Sequence, residues 1–179
     1  MSETVQLHDK KFKSFIEEQA IEQAVRVVAD NMNTDLKGKN PLFLIVLNGA
    51  FMFASDLFKH LKMDCEVSFV KLSSYEGTKS TSVVREVIGL DQDVTGRTIV
   101  VVEDIIDTGI TMKHTIHTLS KMNAAEVKIA SLLFKPNAFK EDYKIDYVGM
   151  EIANDFIVGY GLDYDGLGRN LPKIYKIIE

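Results

Sequence analysis

The stretch from Thr98 to Thr111 constrains this chain more than any other. A β-branched apolar run, Thr98, Ile99, Val100, Val101 and Val102, leads straight into two adjacent carboxylates, Glu103 and Asp104. A third acid, Asp107, follows, and then Thr108, Gly109, Ile110 and Thr111, a turn that opens a helical pattern. Continuous apolar runs of this kind form buried strands of parallel sheets, covered on both faces. Ligands of open α/β sheets collect at the carboxyl ends of such strands, so the three acids stand where a ligand would. Backbone N–H groups of residues 108–111, at a helix start, form a cradle for an anion. Acids for sugar hydroxyls beside amides for a phosphate describe a site for a phosphorylated ribose.

The rest of the chain alternates in the same style. Phe12, Phe15, Ile16, Ile21, Ala24, Val25, Val28 and Met32 recur at helical spacing, which predicts an amphipathic helix over residues 11–33. Gly38 to Pro41 breaks the chain before a buried strand at 42–47, and 50–61 reads as the next helix. Strands are expected at 65–72 and, as an antiparallel partner, at 83–88. The polar residues 73–82 between them have the composition of a mobile loop. A central strand at 98–103, a helix at 111–122 and a strand at 126–134 follow, the last stopped by Lys135 and Pro136. Short segments at 147–152, 156–160 and 174–178 close the chain. Strands alternating with helices predict one α/β domain over residues 1–179, a central parallel sheet flanked by helices.

Bulk properties remove several function classes. With 21 Lys+Arg against 26 Asp+Glu, the net charge is −5, which leaves no basic field for nucleic acid. The longest apolar stretch, 41–54, is interrupted by Asn48 and Gly49 and is too short to span a bilayer. The single cysteine, Cys65, makes no internal disulfide, and residues 1–15 lack the apolar core of a secretory signal, so the cytoplasm is the expected compartment. No G-x-x-x-x-G-K-[ST] loop occurs, and Gly159-Tyr160-Gly161 lacks the third glycine of a dinucleotide fingerprint.

From about residue 40 to residue 169 the chain resembles the phosphoribosyltransferases that use phosphoribosyl pyrophosphate. Val102-Glu103-Asp104-Ile105-Ile106-Asp107-Thr108-Gly109 is similar to their hypoxanthine-guanine branch. The resemblance implies the type I fold, with a small hood from the chain ends, mainly 150–179, over the carboxyl edge of the sheet. It implies that Glu103 and Asp104 contact the ribose hydroxyls, and that two carboxylates favour positive charge developing on the sugar. Asp107 would take the purine proton. Asp107, Thr108, Gly109, Ile110 and Thr111 would wrap the 5-phosphate. Leu47, Asn48 and Gly49 match the pyrophosphate loop, with a cis peptide implied between Leu47 and Asn48, and Arg169 would bind the leaving pyrophosphate through its planar fork. Relatives often carry lysine at the positions of Asn48 and Ile110.

The purine pocket implied by the resemblance comprises Lys135, Phe156, Ile157 and Asp163. Lys135 would donate to a 6-oxo group, Phe156 would stack, and the backbone of Ile157 would pair with the base edge. A donor at Lys135 selects oxygen over an amino group, since two facing donors leave a buried polar group unpaired. Asp163 would hold Mg²⁺, with Glu103 and Asp104 as further candidates. Ser74 and Tyr75 match a pair that closes over the reacting centre and excludes water. The expected activity is purine salvage, joining hypoxanthine or guanine to phosphoribosyl pyrophosphate, in a homodimer or homotetramer with no nucleic-acid or membrane partner. Two alternatives remain at this stage: a regulator of the same fold that senses phosphoribosyl pyrophosphate, and a xanthine-preferring transferase.

Overall fold

Leu42–Leu47, the first strand of the large sheet, is apolar at every position, and its side chains divide cleanly between two cores. Phe43 and Ile45 pack with Val100 and Val102 against the helix spanning Glu18–Asp35 and the helix at Phe51–Phe58. Leu42, Leu44 and Val46 pack with Ile99 and Val101 against Met112 and Leu119 of the helix Ile110–Lys121. This two-sided burial is why neither strand carries a polar face.

The computed structural model describes residues 3–75, 83–88, 90 and 92–178; the side chains of 72–75 and 83–88 and the 76–82 part of the expected loop lie outside that description. In chain order the elements are β1 (Thr4–Leu7), β2 (Lys10–Ile16), α1 (Glu18–Asp35), β3 (Leu42–Leu47), α2 (Phe51–Phe58), β4 (Glu66–Tyr75), β5 (Val83–Ile88), β6 (Thr98–Ile106), α3 (Ile110–Lys121), β7 (Glu126–Phe134), β8 (Tyr147–Glu151), β9 (Ile157–Val158) and β10 (Ile174–Ile177). The six-stranded sheet runs β5-β4-β3-β6-β7-β8. Its five strands from β4 to β8 are mutually parallel, and β5 runs antiparallel at the edge. A four-stranded antiparallel sheet, β1-β2-β10-β9, forms separately around Phe12, Val158 and Tyr175. No helix among the described residues is long and apolar enough to cross a membrane.

Three elements differ from the sequence expectation. Strand β4, expected to end at residue 72, continues to Tyr75 through the pairs Ser73↔Arg85, Ser74↔Val84 and Tyr75↔Val83, so residues 73–75 of the expected loop are strand. The helix predicted over 11–33 begins only at Glu18, and Lys10–Ile16 is strand β2. Phe12, Phe15 and Ile16 satisfy a helical spacing, but burial alternates, with Phe12 and Ile16 inside and Lys11 and Lys13 outside. Pairing to both β1 and β10 decides in favour of the strand. The central strand β6, expected to end at residue 103, continues to Ile106. Parallel pairing with β7 runs on through Glu103↔Ser131, Ile105↔Leu133 and Ile106↔Phe134. Glu103, expected as the last strand residue, and Asp104, expected beyond it, both lie inside the strand.

Candidate active site

The β6–α3 turn is the centre of the site. Gly109 sits at φ 86°, in the left-handed region that L side chains avoid, and α3 begins at the next residue. No side chain caps α3, so its first-turn amides stay available to an anion. Glu103 and residues 105–112 line a small cavity of about 130 Å³ at this turn. Ile110, also at the cavity, is 45% exposed.

Neighbouring residues of a strand face opposite ways, and Glu103 and Asp104 do so. Glu103 lines the cavity beside α3. Asp104 lies against the β3–α2 turn, its Oδ2 occupying the space a side chain at residue 49 would need, only 1.6 Å from where that Cβ would be. Gly49 is glycine for that reason. The peptide bond between Leu47 and Asn48 is cis. From the other side, Gly161 (φ 99°) rests directly on Gly49, with room for no side chain: a Cβ there would be 2.0 Å from the Gly49 carbonyl oxygen. The loop after β9 is thereby seated on the pyrophosphate-loop candidate.

Arg169 holds this loop together. Its Nη1 donates to the Gly161 carbonyl at 2.7 Å, and its Nη2 pairs with Asp163 at 2.7 Å. Asp163 also accepts the Gly166 N–H at 2.7 Å. Burial pushes the Asp104 carboxyl up from 3.8 to about 6. The N–H groups of Ile105 and Asp104 and the Arg169 charge oppose that rise, and the Asp163 charge adds to it. Glu103 is raised well above the ordinary carboxylate range, first by burial and then by the Asp104 charge.

On the far side of β6, Lys135 Nζ meets Asp107 Oδ2 at 3.0 Å. The lysine side chain is only 12% exposed and the aspartate 50%. The Lys135 N–H donates to the Ile106 carbonyl at 3.0 Å, tying the end of β7 to the end of β6. Phe156 is 47% exposed and is flanked by the Phe12 and Tyr164 rings at 6.2 and 5.8 Å. Ile157 is buried in the β9–β10 pairing, opposite Lys176. The structure thus gathers Gly49, Asp104, Asp163 and Arg169 into one contact set and Lys135 with Asp107 into another. Glu103 and residues 108–111 line the same cavity as Asp107. Ser74 and Tyr75 close strand β4, and their side chains lie outside the described residues.

Sequence reasoning passed over the residues that brace these loops. Tyr143 Oη donates to the Gly109 carbonyl at 2.9 Å, and Tyr160 Oη donates to Asp56 at 2.6 Å, joining the β9 end to α2. Neither tyrosine stands in a motif, and both contacts depend on register between distant segments.

Residues 13–165 match the family model described as the phosphoribosyl transferase domain. The chain is 40% identical over 163 residues to the hypoxanthine-guanine phosphoribosyltransferase of Lactococcus lactis, covering 90% of this chain and 88% of that one. It is 39% identical over 163 residues to the enzyme of the same name from Bacillus subtilis, at 90% and 91% coverage. A solved hypoxanthine phosphoribosyltransferase from Staphylococcus aureus superposes with a TM-score of 0.88 at 34% identity, over 93% of this chain and 91% of that one. The chain belongs to the phosphoribosyltransferase family, and its single α/β domain has that family's type I fold.

Proposed function

We infer that the protein transfers the 5-phosphoribosyl group of phosphoribosyl pyrophosphate to hypoxanthine and guanine, forming IMP or GMP and pyrophosphate. The observation that carries this reading is the 3.0 Å Lys135–Asp107 pair at the mouth of the 107–111 loop. It places a cationic donor and a carboxylate acceptor side by side, which a 6-oxopurine needs at its oxygen and at the nitrogen that sheds a proton.

In the reaction the bond from ribose C1 to pyrophosphate breaks, its electron pair leaving with the pyrophosphate oxygen. A purine ring nitrogen forms the new bond to C1, and Asp107 receives the proton displaced from the ring. Amides at the start of α3 hold the 5-phosphate. Glu103 and Asp104 accept ribose hydroxyls and offset the positive charge that develops at C1. Arg169 exchanges Asp163 for pyrophosphate oxygens when substrate enters, and Phe156 offers its exposed ring to the purine face. Magnesium fits the donor set, since it favours one or two carboxylates completed by phosphate oxygens and water, and Asp163 with Asp104 supply them. When bound, the ion would neutralise charge on the departing pyrophosphate.

The reading extends to a cytoplasmic homodimer or homotetramer. Assembly is supported by the exposed apolar side chains of Phe51, Val67 and Phe69, at 43%, 41% and 47%. Incubation with hypoxanthine, phosphoribosyl pyrophosphate and Mg²⁺ should yield IMP and pyrophosphate in equal amounts by chromatography; formation of neither would overturn the proposal.

Lys135→Ala tests the pocket itself. A hydrogen bond to a charged donor contributes about 1.5–3 kcal/mol, so the KM for hypoxanthine should rise about 10- to 100-fold. Equal affinity for hypoxanthine before and after the substitution would remove Lys135 from the base site.

A further inference from the structure

The segment between β7 and β8 carries more than Lys135. Four contacts clamp it to the β6–α3 turn. The Lys140 N–H donates to the Thr108 carbonyl at 3.3 Å, and Lys113 of α3 pairs with Glu141 at 2.5 Å. The Phe139 ring fills the space beside Gly109, 2.6 Å from where a Cβ would stand, and Tyr143 Oη lies 2.8 Å from the same point. Tyr143 then donates to the Gly109 carbonyl at 2.9 Å. Phe139 is held in turn between Phe134, at the end of β7, and Tyr143, edge-on at 5.3 and 5.1 Å.

The Gly109 carbonyl is the critical atom. It also accepts the Lys113 N–H at 3.0 Å, the opening hydrogen bond of α3. In a planar trans peptide the carbonyl and the following N–H point in opposite directions. Fixing the Gly109 oxygen therefore fixes the Ile110 N–H, which points back out of the helix N-terminus. Gly109 has no side chain to restrain its own backbone, and the tyrosine supplies the restraint from outside. Burial, with the nearby charges of Glu141 and Glu103, holds the phenol well above its ordinary range, so it remains a donor.

We propose that Tyr143 is a positioning residue for the 5-phosphate cradle, setting the orientation of the Gly109–Ile110 peptide through its hydrogen bond to the Gly109 carbonyl. The proposal rests on the transferase reading above. It also makes one stretch of chain, residues 135–143, serve both ends of the substrate pair: Lys135 at the purine and Tyr143 at the phosphate.

Tyr143→Phe removes the hydroxyl and keeps the ring that packs on Phe139. Steady-state kinetics should show the KM for phosphoribosyl pyrophosphate raised about fivefold, the loss of one hydrogen bond. The kcat should stay within about twofold and the KM for hypoxanthine should be unchanged, because the chemical step and the base pocket do not involve the hydroxyl. Calorimetric titration of parent and variant with phosphoribosyl pyrophosphate and Mg²⁺ should give the same fivefold difference in Kd. Equal values in the two proteins, with the parent active, would overturn the Tyr143 assignment and leave the transferase reading standing. A rise in both KM values in step with a lowered Tm would also overturn it, since that is general loosening. Failure of the parent to bind phosphoribosyl pyrophosphate at all would overturn both.

Discussion

Asp107→Ala is expected to lower turnover of hypoxanthine by about 10²- to 10⁴-fold, the range over which a positioned general acid or base acts. Binding of phosphoribosyl pyrophosphate should change by no more than a few-fold, because in the proposed mechanism backbone amides, and not this side chain, hold the phosphate. Asp107→Asn provides the companion variant. It keeps the shape and a carbonyl oxygen beside Lys135, whose side chain is only 12% exposed and which alanine would leave with neither. If both variants lose turnover alike, the missing element is the ionised carboxylate that takes the proton, and not the side chain's volume or its hydrogen bond with Lys135. Stopped-flow or steady-state assays with saturating hypoxanthine read this directly, and unchanged turnover in either variant would remove Asp107 from the chemistry.

The acid pair should show the opposite relation between activity and stability. Asp104 has its carboxyl raised from 3.8 to about 6 by burial, so folding favours its protonated form. Between pH 4 and 6 the folded protein binds more protons than the unfolded chain, and the stability contributed by the neutral acid is lost as pH rises through that window. Above about 6 the folded state carries an ionised carboxylate at a site that resists it. A rise of this size corresponds to about 3 kcal/mol at 1.36 kcal/mol per pH unit, and partial exposure reduces it to the order of 2 kcal/mol. Asp104→Asn should therefore raise Tm at pH 7 by about 4–8 °C for a domain of this size. The difference should vanish below pH 4. Combined with Glu103→Gln it should also abolish most turnover, by about 100-fold or more, as electrostatic stabilisation of the sugar cation is lost. Scanning calorimetry of parent and variant across pH 3.5–7.5 makes the comparison. A lower Tm for Asp104→Asn at pH 7, or a gain that persists at pH 3.5, would contradict the account.

Much of this architecture is legible from local pattern. The apolar runs of β3 and β6 could only be buried on both faces, and the acids and turn after Val102 placed a ligand at their carboxyl ends. Where two periodicities coincide, pattern alone misleads. Phe12, Phe15 and Ile16 fit a helix, and only pairing with β1 and β10 makes them part of β2. The Glu103-Asp104 pair resembles a strand end because charges seldom continue a buried strand, yet pairing with β7 carries β6 three residues further. Assignments at Arg169, Asp163 and Lys135 came from resemblance to a family rather than from their own context, since a lone charged residue in a loop carries no signal. The reason for Gly49 was hidden as well: it is the approach of Asp104, 55 positions later in the chain, that excludes a side chain there. Tyr143 had no legible role, because the Gly109 carbonyl it meets is 34 residues away.

The account stands or falls on which base the site accepts. A spectrophotometric assay with phosphoribosyl pyrophosphate and Mg²⁺, offering hypoxanthine, guanine, xanthine and adenine separately, tests that most directly. Turnover of hypoxanthine and guanine with none of adenine is the predicted result, because in the proposed pocket a Lys135 that donates to a 6-oxo group would oppose a 6-amino group. Turnover of adenine at a comparable rate, or of no base at all, would contradict it.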